Sequence, residues 1–252
     1  MSACGAALQP RAGILWLADG GALRCRSAHS LHVLPPTLAL WVPQDVPHEV
    51  EGLGGAQLRR VGLALPAGVV CATAPASCRV TVAGPLLAAL ADTLDGTNGE
   101  RPVTPRQQLG LALAAEEVQS AEPLPIGVAL PHSHTLRRAC EAALRDGAGD
   151  CNLQALAEAA NTSMRTLARC FQKELALPFS HWRLQLRLAR LVALWAEGRT
   201  LSASAAAVGY TSPSALSFRV RRLIGMTPSR LLAERAGAGA NPIAPRLSTT
   251  AY

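Results

Sequence analysis

The chain has 252 residues, of which 49% are hydrophobic and 16% are charged. This composition excludes disorder along the whole chain, and the length allows one large or two ordinary domains. The formal net charge of +7 is unevenly distributed: residues 1–150 carry 11 Arg and 13 acidic residues, whereas residues 151–236 carry 12 basic residues and only 4 Glu. Positive charge concentrated in the last third predicts a polyanion-binding module attached to a nearly neutral one.

The seven cysteines form no C-x-x-C pair. The first residues lack the pattern of a signal peptide, and no apolar run approaches the roughly 18 residues of a membrane span. We therefore expect a soluble cytosolic protein with reduced thiols, in which each Cys is a small buried hydrophobe. A redox-sensing thiol is the alternative for any one of them.

Short apolar runs separated by Gly, Pro and Asp fill residues 13–83. They predict the strands of a small antiparallel barrel or sandwich, namely "GILWL", "ALRCR", "SLHVL", "TLALWVP", "HEVEG", "AQLRRVGLAL", "VVCAT" and "CRVTVA". From Gly84 the apolar spacing becomes helical. It predicts helices over 84–96 and 104–121, the second with Thr104 as its N-cap and Pro105 in its first turn.

A Pro-rich stretch, "EPLPIGVALP", marks the best domain boundary. The chain after it has helical periodicity throughout, until a final segment without any period that we expect to be disordered. The predicted division is a first domain over 1–121, a linker over 122–131, an all-helical domain over 132–236 and a tail over 237–252.

The helical region contains a weak repeat with units about 48 residues apart. Each unit is predicted to be a short helix, a tight turn with positive φ, and a second helix capped by Ser, which together form a helix-turn-helix. Asn161 and Gly209 supply the two turns, and Ser163 and Ser212 are the predicted caps.

The second helix of each unit has an apolar face and an opposite face that could enter a DNA major groove. Leu167 and Phe171 face inward in the first unit, and Leu216 and Val220 in the second. The predicted DNA-binding residues are Met164, Arg165, Ala168, Arg169 and Gln172 in the first unit, and Pro213, Ser214, Ser217, Phe218, Arg221 and Arg222 in the second. Arg165 and Arg169 are the best guanine readers, because an Arg can bind O6 and N7 together. The alternative is that these basic residues form only a solvated face.

A long helix over about residues 179–197 joins the two units. It would measure about 28 Å, long enough to hold two recognition helices near the roughly 34 Å repeat of the major groove. Its stripe of Arg183, Arg187 and Arg190 is expected either to touch phosphates or to be solvated.

These segments resemble the DNA-binding domain of AraC/XylS-type transcriptional regulators over about residues 133–234. The most specific part is "GYTSPSALSFRVRRLIGMTP", residues 209–228. By position, the resemblance implies base-reading roles for Arg165, Ala168 and Arg169, and for Pro213, Ser214 and Phe218. Two departures stand out: Ala176 replaces the usual turn glycine, and Phe218 cannot donate a hydrogen bond to guanine.

The strand-rich part resembles the small cupin-type barrel that such regulators use for sensing or dimerisation. The whole chain is thus predicted to be an α+β protein of two domains, acting in a bacterial-type cytosol at the nucleoid. Double-stranded promoter DNA is the expected partner, and the resemblance implies a small-molecule effector, a homodimer and contact with RNA polymerase as further ones.

Two other functions remain open at this point, a metal-dependent cupin enzyme with an accessory helical domain and a non-specific architectural DNA-binding protein. The enzyme is disfavoured because no nucleophile–base pair or phosphate-binding loop is evident. The spacing of His29, His32 and His48 also does not match an H-x-H cupin metal site, so no metal, cofactor or catalytic residue is predicted.

Overall fold

A computed structural model describes residues 11–65, 78–96, 103–145 and 151–233. The predicted strand "VVCAT" and the predicted disordered tail over 237–252 lie outside these residues. Within the described ranges, the strand-rich part is followed by a helical part, which confirms the predicted α+β class with two parts of different architecture.

Eight antiparallel strands form two four-stranded sheets. The strands are β1 (Arg11–Asp19), β2 (Ala22–Ser27), β3 (Ser30–Leu34), β4 (Leu38–Pro43), β5 (His48–Leu53), β6 (Gln57–Leu65), β7 (Arg79–Val82) and β8 (Val128–Ala129). The sheet orders are β6-β1-β4-β7 and β5-β2-β3-β8. Inward side chains of both sheets, such as Leu23, Cys25 and Leu40, share one apolar cluster, so the sheets pack face to face.

Two helices cover the other face of the first sheet, α1 (Pro85–Leu94) and α2 (Pro105–Ser120). Trp41, fully buried, lies in the cluster between this sheet and the helices. The Thr104 hydroxyl accepts the Gln107 N–H while the Gln107 side chain accepts the Thr104 N–H, a capping box that confirms the predicted N-cap. Arg79 secures the other end of α2 by donating to the Val118 and Gln119 carbonyls.

Seven helices lie in the remaining described residues: α3 (His134–Arg145), α4 (Leu153–Ala159), α5 (Met164–Leu175), α6 (Phe179–Ala196), α7 (Leu201–Ala207), α8 (Pro213–Ile224) and α9 (Pro228–Leu231). The predicted long helix is α6. Its buried side chains enter two clusters, one with α3, α4 and α5 and the other with α7, α8 and α9. No helix in the described part of the chain is long and apolar enough to cross a membrane.

The Pro-rich stretch is packed between the two parts of the fold. Val128 and Ala129 form β8, which extends the second sheet beside β3, and the Ala129 carbonyl accepts a 2.8 Å hydrogen bond from the Trp182 indole of α6. Gly54, with φ of +63°, approaches the end of α6 so closely that an added Cβ would lie 1.9 Å from the Ala196 carbonyl oxygen. The domain boundaries themselves stay a prediction.

Four of the five described cysteines are buried and Cys170 is half-buried, none in a disulfide. Burial raises the pKa of the Cys25 thiol to about 12, with nearby Cys78 adding to the shift. A thiol with such a raised pKa is a poor nucleophile, which fits the prediction that Cys25 is a packing residue.

His32 is a buried polar residue beside this joint. Its Nδ1 lies 3.1 Å from the Ile126 carbonyl oxygen and its Nε2 lies 3.1 Å from the Ser30 hydroxyl. The neutral ring satisfies both contacts, with Nδ1–H donating to Ile126 and Nε2 accepting from Ser30. Burial lowers the pKa of His32 from 6.5 to about 4, although the Ile126 carbonyl opposes the shift.

We therefore predict that His32 destabilises the fold in acid. The unfolded chain binds a proton near the ordinary pKa of 6.5 while the folded chain does not until about 4. The contribution of neutral His32 to the free energy of unfolding is therefore complete above pH 6.5 and is lost as the pH falls from 6.5 to about 4. It amounts to about 3 kcal/mol. Urea unfolding from pH 7 to about pH 4 should show a weaker pH dependence for His32→Gln than for the wild type. Equal pH dependences would contradict the assignment.

Candidate nucleic-acid interface

The first helix-turn-helix unit consists of α4, a tight turn and α5. Asn161 occupies the turn with φ of +51°, a left-handed conformation that Asn tolerates better than most residues. The Ser163 hydroxyl then accepts the Thr166 N–H at 3.1 Å and caps α5. Leu167 and Phe171 are fully buried. Both the predicted turn residue and the predicted cap are confirmed.

The second unit repeats this arrangement with α7 and α8. Gly209 has φ of +79° in the turn, and the Ser212 hydroxyl accepts the Ala215 N–H at 3.2 Å. Leu216 and Val220 face the interior, as the apolar spacing predicts. Gly225 ends α8 in the left-handed conformation that glycine favours at a helix C-terminus.

The predicted DNA-binding residues lie on the solvent side of the two helices. Ser217 is half-buried and the other ten are exposed: Met164, Arg165, Ala168, Arg169 and Gln172 on α5, and Pro213, Ser214, Phe218, Arg221 and Arg222 on α8. Met164 and Phe218 are 50% and 63% exposed, unusual for large apolar side chains on short capped helices. An apolar side chain displayed among Arg and Ser suits contact with thymine methyl groups.

Ala176 ends α5 in the left-handed region, with φ of +54°. This confirms the expectation that alanine takes the conformation for which glycine is usual. The methyl group there costs on the order of 1 kcal/mol, because it approaches the following carbonyl oxygen.

Glu174 joins the first recognition helix to the start of α3, a contact that the sequence did not predict. Its carboxylate accepts the backbone N–H groups of His132 and Ser133 and the Ser133 hydroxyl. Burial alone would raise the pKa of Glu174, but these hydrogen bonds outweigh it and lower the pKa. Glu174 thus fixes the two residues that precede α3 to the end of α5.

The arginine stripe predicted on α6 is divided by the structure. Arg183 and Arg187 lie beside α8, whereas Arg190 lines a cavity between α6 and the second sheet. At 3.6 residues per turn the three side chains still leave the same side of α6, and their contact with phosphates stays a prediction.

The histidines of the first domain do not converge. His48 accepts a hydrogen bond from the Trp16 indole at 3.1 Å, and His32 is bonded to Ser30 and Ile126. His29 meets His132 edge-on, with ring centroids 4.4 Å apart. Among the described residues, no group of three or more His, Cys, Asp or Glu is placed to hold a metal ion.

Comparison with known proteins supports the helix-turn-helix assignment. Residues 156–234 match the family described as a helix-turn-helix domain. The chain is 28% identical over 228 residues to the HTH-type transcriptional regulator NimR of Escherichia coli, covering 89% of this chain and 81% of that protein. It is 31% identical over 121 residues to the HTH-type transcriptional regulator RipA of Corynebacterium glutamicum, covering 48% of this chain and 37% of that protein.

Among solved structures, ToxT of Vibrio cholerae O395 covers 92% of both chains, at 11% identity and a TM-score of 0.41. The helix-turn-helix match and the two regulators define the class: this chain is a sequence-specific DNA-binding regulator of transcription. Its helix-turn-helix domain, at residues 156–234, is of the AraC type.

Proposed function

We propose that the chain regulates transcription by placing α5 and α8 in two successive major grooves on one side of promoter DNA. The observation that carries this proposal is the exposure of a basic or mixed face on both recognition helices, whose buried faces both pack on α6. With 18 residues, α6 is about 27 Å long. This length suits two helices held near the roughly 34 Å groove repeat.

The first unit is the better base reader. Arg165 and Arg169 project from the N-terminal half of α5, where side chains of a recognition helix reach base edges. Both are exposed, and no acidic partner is found for either among the described residues. Their guanidinium groups are therefore available for bidentate contacts to guanine.

The test is a binding titration with a duplex that the wild-type protein selects from a random library. Arg169→Ala should weaken binding to this duplex by about 1 to 3 kcal/mol and relax the preference at one base pair. Lys173→Ala, one turn further along α5, is the matched control and should weaken selected and shuffled duplexes alike. Wild-type preference in Arg169→Ala would contradict base reading by the first unit.

Phe218 tests the second unit. Because its ring is 63% exposed, Phe218→Ala should leave the thermal unfolding midpoint nearly unchanged. We expect it to reduce affinity for the selected duplex by roughly 1 kcal/mol, with the loss confined to duplexes that carry thymine at the contacted position. Phe218→Leu should retain part of this preference. An equal loss on duplexes with and without that thymine would assign Phe218 to positioning instead of base reading.

An effector site is proposed between α6 and the outer face of the second sheet. A cavity of about 590 Å³ lies there, of a size typical for small-molecule sites at domain interfaces. Its walls include Leu31, Val33 and Leu186, and its charged residues are Arg24, Arg26, Arg190, Glu49 and Glu51. Arg24 is paired with Glu51 at 2.5 Å, so the remaining charge favours a ligand with an apolar body and an anionic group.

The probe for this cavity is 8-anilinonaphthalene-1-sulfonate, which has an apolar body and one anionic group. We expect saturable binding to the folded protein, weakened about tenfold in Arg26→Ala/Arg190→Ala because charge-assisted hydrogen bonds are lost. Arg199→Ala, on the exposed loop after α6, is the control and should bind the probe like the wild type. Equal fluorescence titrations for all three proteins would exclude this cavity as an anion-binding site.

Self-association, contact with RNA polymerase and a location at the nucleoid stay predictions from the resemblance. Leu109 and Leu113 are exposed one turn apart on α2, which gives a second copy an apolar surface to cover. Sedimentation velocity of wild type and Leu109→Asp would test this pairing.

A further inference from the structure

A second concave surface lies beside the second helix-turn-helix unit, and one of its residues, Arg222, also belongs to the predicted DNA-binding set. It is a cleft of about 500 Å³ between the N-terminal half of α6 and one side of α8. Its polar lining comprises His181, Arg183, Arg187, Tyr210, Arg219 and Arg222, together with Ser180. None of the described residues that line this α6–α8 cleft is acidic, and four guanidinium groups converge there.

Two of the four arginines are held in place before any ligand binds. Arg183 donates from Nη1 to the Cys151 carbonyl at 3.1 Å, and its guanidinium lies 5.4 Å from the centre of the Phe179 ring. The Arg187 guanidinium lies 5.3 Å from the centre of the Tyr210 ring. Side chains ordered in this way lose less conformational entropy on binding, which favours a ligand site over a merely solvated basic face.

The other two arginines come from the second unit. Arg219 and Arg222 are exposed on α8, on the side next to the face of Ser214 and Phe218. In addition, α6 begins at Pro178 without a side-chain cap. The positive end of an 18-residue helix therefore adds to the charge of the cleft.

The position of the cleft relative to α5 and α8 indicates which anion would bind in it. Its α6 wall begins at Ser180, five residues after α5 ends, and its α8 wall is part of the second recognition helix. A duplex that receives α5 and α8 in successive major grooves must pass the intervening stretch of sugar–phosphate backbone across the surface between them. Guanidinium groups without base-reading neighbours suit phosphodiester oxygens, which they bind through paired N–H donors.

We propose that the α6–α8 cleft holds the DNA backbone between the two recognition helices and so sets the register of both on the duplex. This inference rests on the proposed function, since it assumes that α5 and α8 enter the same duplex. It adds a backbone contact to the base contacts proposed for the two recognition helices. The cleft contributes affinity and position, whereas Arg165 and Arg169 contribute sequence preference.

The decisive variant is Arg219→Gln/Arg222→Gln in the full chain. Each lost phosphate contact makes the salt dependence of binding shallower by about 1, so the slope of log K against log salt should fall by about 2 in magnitude. Affinity at low salt should fall roughly tenfold or more for selected and shuffled duplexes alike. The ratio of the two affinities should stay within about twofold of the wild type.

Matched variants separate the cleft from charge in general. Arg219→Lys/Arg222→Lys keeps the positive charge and should restore most of the slope, which shows that a loss in the Gln variant is not misfolding. Arg199→Gln, an exposed arginine at the other end of α6, should keep the wild-type slope. An unchanged slope in Arg219→Gln/Arg222→Gln would overturn the inference, as would a change in sequence preference as large as the loss of affinity.

The experiment also distinguishes failure of this inference from failure of the proposed function. If Arg169→Ala relaxes sequence preference while the cleft variant binds like the wild type, the function stands and the cleft is not a phosphate site. If the wild-type protein shows no preference for any duplex, the proposed function itself fails. Tripolyphosphate, titrated into DNA-free protein by calorimetry, tests a free phosphate ligand: micromolar binding lost in the Gln variant would reassign the cleft to such a ligand.

Discussion

Burial of α6 is the constraint on which the rest of the structure depends. Trp182, Leu186 and Val192 lie in the cluster formed with the first helix-turn-helix unit and β8, whereas Leu188 and Leu191 lie in the cluster formed with the second unit. Burying such side chains stabilises the fold by roughly 1.5 to 3 kcal/mol each. The same helix therefore holds both recognition helices, and neither can rotate without disturbing a packed core.

The first domain takes part in the same packing. The Trp182 indole donates to Ala129 in the second sheet, and the Thr37 hydroxyl donates to the Leu231 carbonyl at the end of the second unit. A ligand in the cavity beside Arg190 would touch the sheet and α6 together. Any preference of that ligand for one placement of α6 would shift α5 and α8 together relative to the sheets, and such a differential affinity is the physical requirement for coupling two sites.

Local features of the DNA-binding part could be read from the sequence because they depend on neighbouring residues. Ser163 and Ser212 cap helices through bonds to N–H groups three residues away, and the left-handed turns at Asn161 and Gly209 follow from residue type. The apolar spacing also identified Leu167 and Val220 as core residues. The exposed faces of α5 and α8 could then be predicted, because they lie opposite these buried positions.

The features that escaped prediction depend on contacts between distant segments. β8 has only two residues and lies in a Pro-rich stretch, so no alternation of apolar residues could reveal it. Glu174 binds the residues just before a helix that begins about 40 residues earlier, and nothing in the sequence around Glu174 indicates that partner. The separation of Arg190 from Arg183 and Arg187 likewise depends on which elements cover each side of α6.

The two units consequently differ in what they can contribute to recognition. The exposed face of α5 offers guanidinium donors at the positions that reach base edges, whereas the corresponding face of α8 offers Pro213, Ser214 and the ring of Phe218. Guanidinium groups discriminate guanine by paired hydrogen bonds, while an aromatic ring discriminates only a methyl group by contact. The arginines of α8 are instead directed partly toward α6, where Arg219 and Arg222 meet Arg183 and Arg187. The proposed mode of recognition thus places base reading mainly in the first unit and backbone holding in the second, with α6 joining the two units.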